Sequence, residues 1–312
     1  MSIRDRLRRA GFFFLPLLAP SILAAGQSED SKDSADYIRF VPAGKDGGRL
    51  ETSIVTFEGP KGLKVHLVAA VHIGDGKYYR ELSGLFDGYD ALLFELVRQE
   101  GDLPKPGETG GGIVGALQRA MKDLLALEFQ LDAIDYTRSN FIHADMDAAT
   151  FERLSRERGE NLFTLMLRVI IEDLKKQSEG KGQAQINAFD LLKVLLSRDR
   201  ARSLKLLLGR QFKDIEEKLS AFEGEKSSVI LTERNKVAVE VLKKTVAAGK
   251  KNIGIFYGGA HMPDMERRIR EDLKLKPIST RWLTAWDIPP LLERKEEETP
   301  KEAPKEGDGD KR

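Results

Sequence analysis

The chain has 312 residues, 41% of them apolar and 32% charged, with a formal net charge of +1. That apolar share is enough for the core of one large domain or two small ones, and the interleaving of acidic and basic residues argues against a nucleic-acid partner. Cysteine is absent, which excludes disulfides, thiolate nucleophiles, zinc–sulfur sites and a lipidated cysteine.

Arg4, Arg6, Arg8 and Arg9 precede the apolar run Phe12 to Ala25, and Ala24-Ala25-Gly26 supplies small residues for cleavage. This pattern predicts a signal peptide over residues 1–26, and so an exported protein, periplasmic or secreted. The run is about fourteen residues long and holds Pro16 and Pro20, which is short for a bilayer span of about twenty. Membrane contact is expected only through this segment, if it stays uncleaved. Residues 27–36 read as a polar, disordered linker.

The folded part is expected from Tyr37. Leu50 to Phe57 alternates as a strand, and Glu58 to Gly62 reads as a hairpin turn. Leu63 to Val71 is a nearly continuous apolar strand, suited to burial on both faces. It ends in His72-Ile73-Gly74-Asp75. Asp75 is placed to cap a helix that carries Tyr78, Tyr79, Leu82, Leu85 and Phe86 at helical spacing. Ala91 to Leu96 is a second buried strand, and strand–helix–strand order predicts a right-handed crossover with parallel pairing. Gln99 to Gly112 is long for a connection, either a lid or an ordinary surface loop.

Helices are expected over Ile113 to Leu131, Ala148 to Arg158, Leu162 to Lys176, and Ala188 to Leu219 with a break, with a polar loop at Ser178 to Gln185. Ser228 to Ala248 is a further helix. It leads through Gly249 into Ile253-Gly254-Ile255-Phe256-Tyr257-Gly258-Gly259-Ala260-His261-Met262-Pro263, a strand that runs into two glycines, a histidine and a helix-opening proline. The glycine pair permits φ > 0 and close backbone approach. A helix from Met265 to Leu273 and a last strand from Ile278 to Trp286 follow. Residues 291–312 form a charged tail, disordered on composition. The predicted architecture is α/β, with a mostly parallel central sheet, flanking helices and a helical insertion over about 113–225.

Four histidines occur in the whole chain, His66, His72, His143 and His261. His72, Glu95 and His261 each fall at or near the carboxyl end of a predicted strand, the edge where open α/β sheets bind ligands. Two neutral imidazoles and a carboxylate form a common ligand set for Zn²⁺, Mn²⁺, Co²⁺ or Fe²⁺, with positions left for water and substrate. A helix N-terminus beside His261 favours its neutral, metal-binding form. Glu95 lies inside an apolar run, where an ionised carboxylate is costly unless paired, liganded or protonated. Arg234 shares the inward face of its helix with Val237, Ala238, Val241 and Leu242, so it needs an anionic partner. Glu95, a substrate oxyanion and a structural ion pair are the candidates. Asp145 is a supporting partner or a further ligand, and His143 and His66 are expected to be structural.

These elements resemble the TraB/GumN–TIKI family. Gly258-Gly259-Ala260-His261 matches its glycine-x-x-histidine motif, Glu95 its glutamate, Arg234-Asn235 its arginine/asparagine element, and Asp145 an aspartate after the third sheet segment. The first motif is Ala69-Ala70-Val71-His72, with alanine where the family has glycine. The resemblance covers roughly His66 to Trp286. It implies an α/β core with a helical insertion and a divalent-metal hydrolase acting on peptides, the metal being Mn, Co or Zn. Other members are linked to shutdown of peptide pheromones, and distant relatives resemble haem-binding proteins or esterases. The expected activity is therefore metal-dependent, peptidase-like hydrolysis. His72, Glu95 and His261 would hold the ion, Arg234 would stabilise an oxyanion, and Asn235 would orient ligand or substrate. Glu95 is alternatively the general base. The competing reading is a non-catalytic protein that sequesters a peptide or haem in the same pocket.

Overall fold

The computed structural model describes residues 36–98, 127–159 and 199–290 except 226 and 227, with isolated positions 125, 194, 196 and 197. The expected signal peptide, the long loop after Glu95, the helix over Leu162 to Lys176, the polar loop after it and the charged tail lie outside the described residues.

The N-terminal part of the described fold holds β1 (Ile38–Ala43), β2 (Gly47–Glu58), β3 (Lys64–Ala70), β4 (Ile73–Gly74), α1 (Gly76–Phe86) and β5 (Ala91–Phe94). Then come β6 (Glu128–Phe129), α2 (Gln130–Ala133), β7 (Phe141–His143), α3 (Ala148–Arg158) and α4 (Arg200–Glu225). The C-terminal part is α5 (Arg234–Ala247), β8 (Asn252–Gly258), α6 (Met262–Leu273) and β9 (Lys276–Ile288).

The α/β class holds, and the central sheet is mixed. Its order is β1-β2-β3-β8-β5-β7, with β9 also paired to β2. The pairs β3–β8, β8–β5 and β5–β7 are parallel, while β2 runs antiparallel to β1, β3 and β9. The antiparallel part follows from the tight turn at Pro60–Gly62, where Gly62 takes φ 73. β3 and β5 are parallel, as strand–helix–strand order requires, but they do not touch. β8 arrives from much later in the chain and lies between them.

Both sheet faces are covered, as the unbroken apolar runs demand. On one face Val68, Leu92, Phe94 and Phe256 pack with Tyr78, Tyr79, Leu82 and Phe86 of α1. On the other, Val65, Leu67, Leu93, Ile253 and Ile255 pack with Ala238, Val239 and Leu242 of α5 and with Met265 and Ile269 of α6. The period-2 alternation of β3 and β8 divides their side chains between the two layers. Gly254 gives room to the first layer. A Cβ there would stand 2.6 Å from Leu92 Cδ1 and 2.7 Å from the Tyr89 ring. Gly254→Ala is therefore expected to cost about 1–3 kcal/mol through overpacking, read as a lower denaturation midpoint with an unchanged slope.

Several elements differ from expectation. The helix predicted to run to Leu131 does not reach it, because Glu128–Phe129 pairs with Ile73–Gly74 as a small antiparallel ribbon before the single turn of α2. Asp75 precedes α1 but its side chain does not cap it. It accepts from Lys205 Nζ at 3.1 Å and from the Asp287 amide at 2.6 Å, tying α4 and β9 to the turn after β3. α6 begins at Met262 with Pro263 in its first turn, and β9 extends to both sides of the predicted strand. Arg281 pairs with Glu81 on the surface. Among the described residues no helix is long and apolar enough to cross a membrane.

Candidate functional site

Parallel register assembles the site. Ala70 lies opposite Gly258, and Phe94 lies opposite both Phe256 and His143. Four neighbouring strands thus release the chain at one sheet edge, in the order β3, β8, β5, β7. His72, His261, Glu95 and Asp145 follow those four strand ends, so residues far apart in sequence become neighbours.

Gly258 is the floor of the cluster. Its amide donates to Glu95 Oε2 at 2.7 Å. A Cβ added to Gly258 would stand 3.5 Å from Glu95 Oε2, 3.5 Å from His72 Nε2 and 3.8 Å from His261 Cδ2. The glycine leaves this space open, and its backbone angles suit any residue, since its φ is −54. Among the described residues the positive-φ glycines are Gly44, Gly62, Gly159 and Gly249. Neither Gly258 nor Gly259 is among them, so of the two freedoms that the pair permits the positive φ is not used. Gly259 is buried and opens the short turn to His261.

Each imidazole is held at Nδ1 by a side-chain amide. His261 Nδ1 lies 2.7 Å from Asn235 Oδ1, and the Asn235 amide nitrogen donates to the His261 carbonyl and to Asp264 Oδ2. With its nitrogen so engaged, Asn235 accepts through oxygen, and His261 carries its hydrogen on Nδ1. His72 Nδ1 lies 3.2 Å from Gln130 Oε1. The two Nε2 atoms face the site, that of His261 lying 3.4 Å from Glu95 Oε1 and 3.5 Å from Arg234 Nη1. His261 is 3% exposed, while His72 is exposed and forms the solvent rim. Asn235 is fully buried, so the group that it orients is His261.

Arg234 is the electrostatic centre. It starts α5 directly after a single π-turn at Val229–Glu233, whose first residues are capped by Ser228 Oγ accepting from the Leu231 amide. Its Nε and Nη2 donate in a fork to Asp145 at 2.9 and 2.6 Å, and Nη2 also donates to Glu95 Oε1 at 2.6 Å. Nη1 stands 3.5 Å from His261 Nε2. Of the expected partners, Glu95 is present, sharing the guanidinium with Asp145. The guanidinium is buried and pairs with two carboxylates, Glu95 and Asp145. Burial pushes the Glu95 carboxyl up, but the neighbouring His261, Arg234 and His72 outweigh it and hold it well below the ordinary carboxylate range. Burial works against the Arg234 charge too, and the Glu95 and Asp145 carboxylates reverse the effect and raise it.

His143 and His66 are structural, as expected. His143 Nε2 donates to the Leu96 carbonyl at 2.6 Å, and the ring packs on Phe94. His66 is bound between Thr56 and Asn252 and stacks on Tyr89 at the other end of the strands. Sequence reasoning missed Gln130, Tyr136 and Asp264. Gln130 lay within a helical pattern that gave no cue to its partner. Asp264, in the first turn of α6, reads only as a helix-start acid.

Asp264 offers a stability test. Burial raises its carboxyl, but bonds from Arg268, Asn235 and Arg267 prevail and lower it. A depressed folded value stabilises the protein above the unfolded value of about 3.9, and that stabilisation is lost as pH falls through the folded value. Asp264→Asn should therefore lower stability at pH 7, and the gap to the parent should close on acidification in paired denaturation curves. A pH-independent gap would show that Asp264 acts only through shape.

Imidazole nitrogen and carboxylate oxygen are donor types that divalent metals accept. The cluster holds two Nε2 atoms, an ionised carboxylate and a space that a single Cβ would fill. Nδ1 partners that fix each ring are also the usual surroundings of metal-bound imidazoles. Among the described residues no three such side chains close on one point at ligand distances, so the donors form an open set rather than a finished cage. No family model matches the chain, and neither a curated protein nor a solved structure matches it.

Proposed function

We propose that this chain is an exported divalent-metal-dependent hydrolase with peptidase-like activity, in which His72, Glu95 and His261 hold the ion above Gly258. The observation that carries the reading is the gathering of His72, Glu95 and His261 around Gly258, where an added Cβ would stand 3.5 Å from His72 Nε2 and Glu95 Oε2 and 3.8 Å from His261 Cδ2. The resemblance of the Gly258–His261 motif, Glu95 and Arg234-Asn235 to the TraB/GumN–TIKI family supports the same chemistry, and the Arg-rich, apolar leader supports export.

A bound Mn²⁺, Co²⁺ or Zn²⁺ supplies a water of lowered pKa and polarises a substrate carbonyl. The protein's own residues supply placement. Asn235 fixes the inner imidazole, and Arg234, anchored by Asp145, keeps Glu95 ionised and aimed at the floor. The exposed side at His72 is the way in for substrate and water.

Elemental analysis of protein dialysed against Mn²⁺, Co²⁺ or Zn²⁺, beside the His72→Ala/His261→Ala double variant, tests the metal. Near-stoichiometric metal in the parent and none in a folded double variant is expected. No metal in either protein would overturn the reading and leave a sequestering protein. For the metal-loaded parent, a peptide screen repeated with Glu95→Gln should show hydrolysis that the variant loses.

A further inference from the structure

Gln130 touches His72 twice. Its backbone amide donates to the His72 carbonyl at 3.0 Å, and its side-chain oxygen lies 3.2 Å from His72 Nδ1. The other end of the same amide donates to the Tyr136 hydroxyl at 2.9 Å. Gln130 and Tyr136 are 4% and 2% exposed, whereas the ring that they hold is at the rim. A buried pair thus grips an exposed histidine from behind.

We infer that Gln130 is the positioning residue of His72, fixing the tautomer that carries hydrogen on Nδ1 and bares Nε2 toward Gly258. This deepens the metal-hydrolase reading and rests on it for its functional meaning. The Tyr136–Gln130–His72 chain has two self-consistent polarities. In one, Tyr136 accepts from the amide nitrogen, the amide oxygen accepts from His72 Nδ1–H, and Nε2 keeps its lone pair. In the other, the tyrosine donates to the amide oxygen, the amide nitrogen donates to Nδ1, and the hydrogen moves to Nε2, which then cannot bind a cation. The amide oxygen faces His72 Nδ1 and the amide nitrogen faces the Tyr136 hydroxyl, the placement that the first polarity requires. The arrangement parallels that of His261, whose Nδ1 also faces an amide oxygen. Each ring is thus oriented by a neutral acceptor, which selects a tautomer without adding charge to a cluster that already holds Glu95 and Asp145.

The tautomer is read directly from long-range ¹H–¹⁵N correlations of the histidine rings in metal-free protein. The parent should show His72 with hydrogen on Nδ1. Gln130→Glu, which keeps an acceptor for both the ring and the tyrosine, should retain that pattern. Gln130→Leu should shift His72 toward hydrogen on Nε2 while leaving the His261 pattern unchanged. Mn²⁺ or Zn²⁺ titrated into the same samples should bind about 10–100-fold more weakly to Gln130→Leu, with Gln130→Glu restoring affinity. Hydrogen on Nε2 of His72 in the parent, or a parent-like pattern in folded Gln130→Leu, overturns the inference. Because the spectra need no metal, a protein that binds none would sink the hydrolase reading and leave the tautomer result standing.

Discussion

Arg234→Met is expected to lower stability by about 3–5 kcal/mol, the cost of leaving buried charge without its partner. The side chains of Glu95 and Asp145 are 10% and 0% exposed, and one guanidinium serves both. Methionine matches the stem and removes the charge, so two carboxylates would face each other across the end of the sheet. Arg234→Lys should recover only part of the loss, because an ammonium cannot make the fork to Asp145. Asp145→Asn should cost less than Arg234→Met, since the arginine keeps Glu95. Denaturant midpoints with unchanged slopes would measure the series. An Arg234→Met protein within about 1 kcal/mol of the parent would mean that water or protonation relieves the carboxylates, and the buried ion-pair account would fail.

On the proposed metal-hydrolase reading, Gly258→Ala should do the reverse, removing turnover while sparing the fold. The added methyl would meet its neighbours at 3.5–3.8 Å, ordinary contact, and the backbone angle suits any residue. Stability should therefore change little. The methyl would, however, stand among the side chains of His72, Glu95 and His261. An ion or water displaced there by an ångström or more should cost on the order of 100-fold in turnover, with metal content falling in parallel. Full metal loading and full turnover in Gly258→Ala would place the chemistry elsewhere.

The parts of this site that were legible in the sequence are those where a residue breaks the rule of its surroundings. Glu95 stands out as a charge within an apolar strand, and Arg234 as a cation on an apolar helix stripe. His261 stands out because a glycine pair and a proline bracket it. What could not be read is pairing. Nothing in the composition of β3, β5 and β8 says which two are neighbours, since all are apolar and double-faced. β1 and β7 were missed because short strands at sheet edges carry little alternation. Asp75 was legible as a helix-start acid, yet Lys205 and the Asp287 amide compete for its oxygens and win. Gln130 was invisible because the identity of an amide's partner is set entirely by tertiary contact.

The central place of β8 has a consequence for how the molecule comes into being. β3 and β5 are synthesised early, separated by one helix, yet the strand that joins them is completed only at Gly258. Until then each has an unpaired apolar edge, exposed to aggregation. Closure across so many residues makes for slow, nonlocal folding. It also makes the cluster all-or-none. A chain stopped before residue 252 lacks both Gly258 and His261, so the cluster cannot assemble until β8 is made.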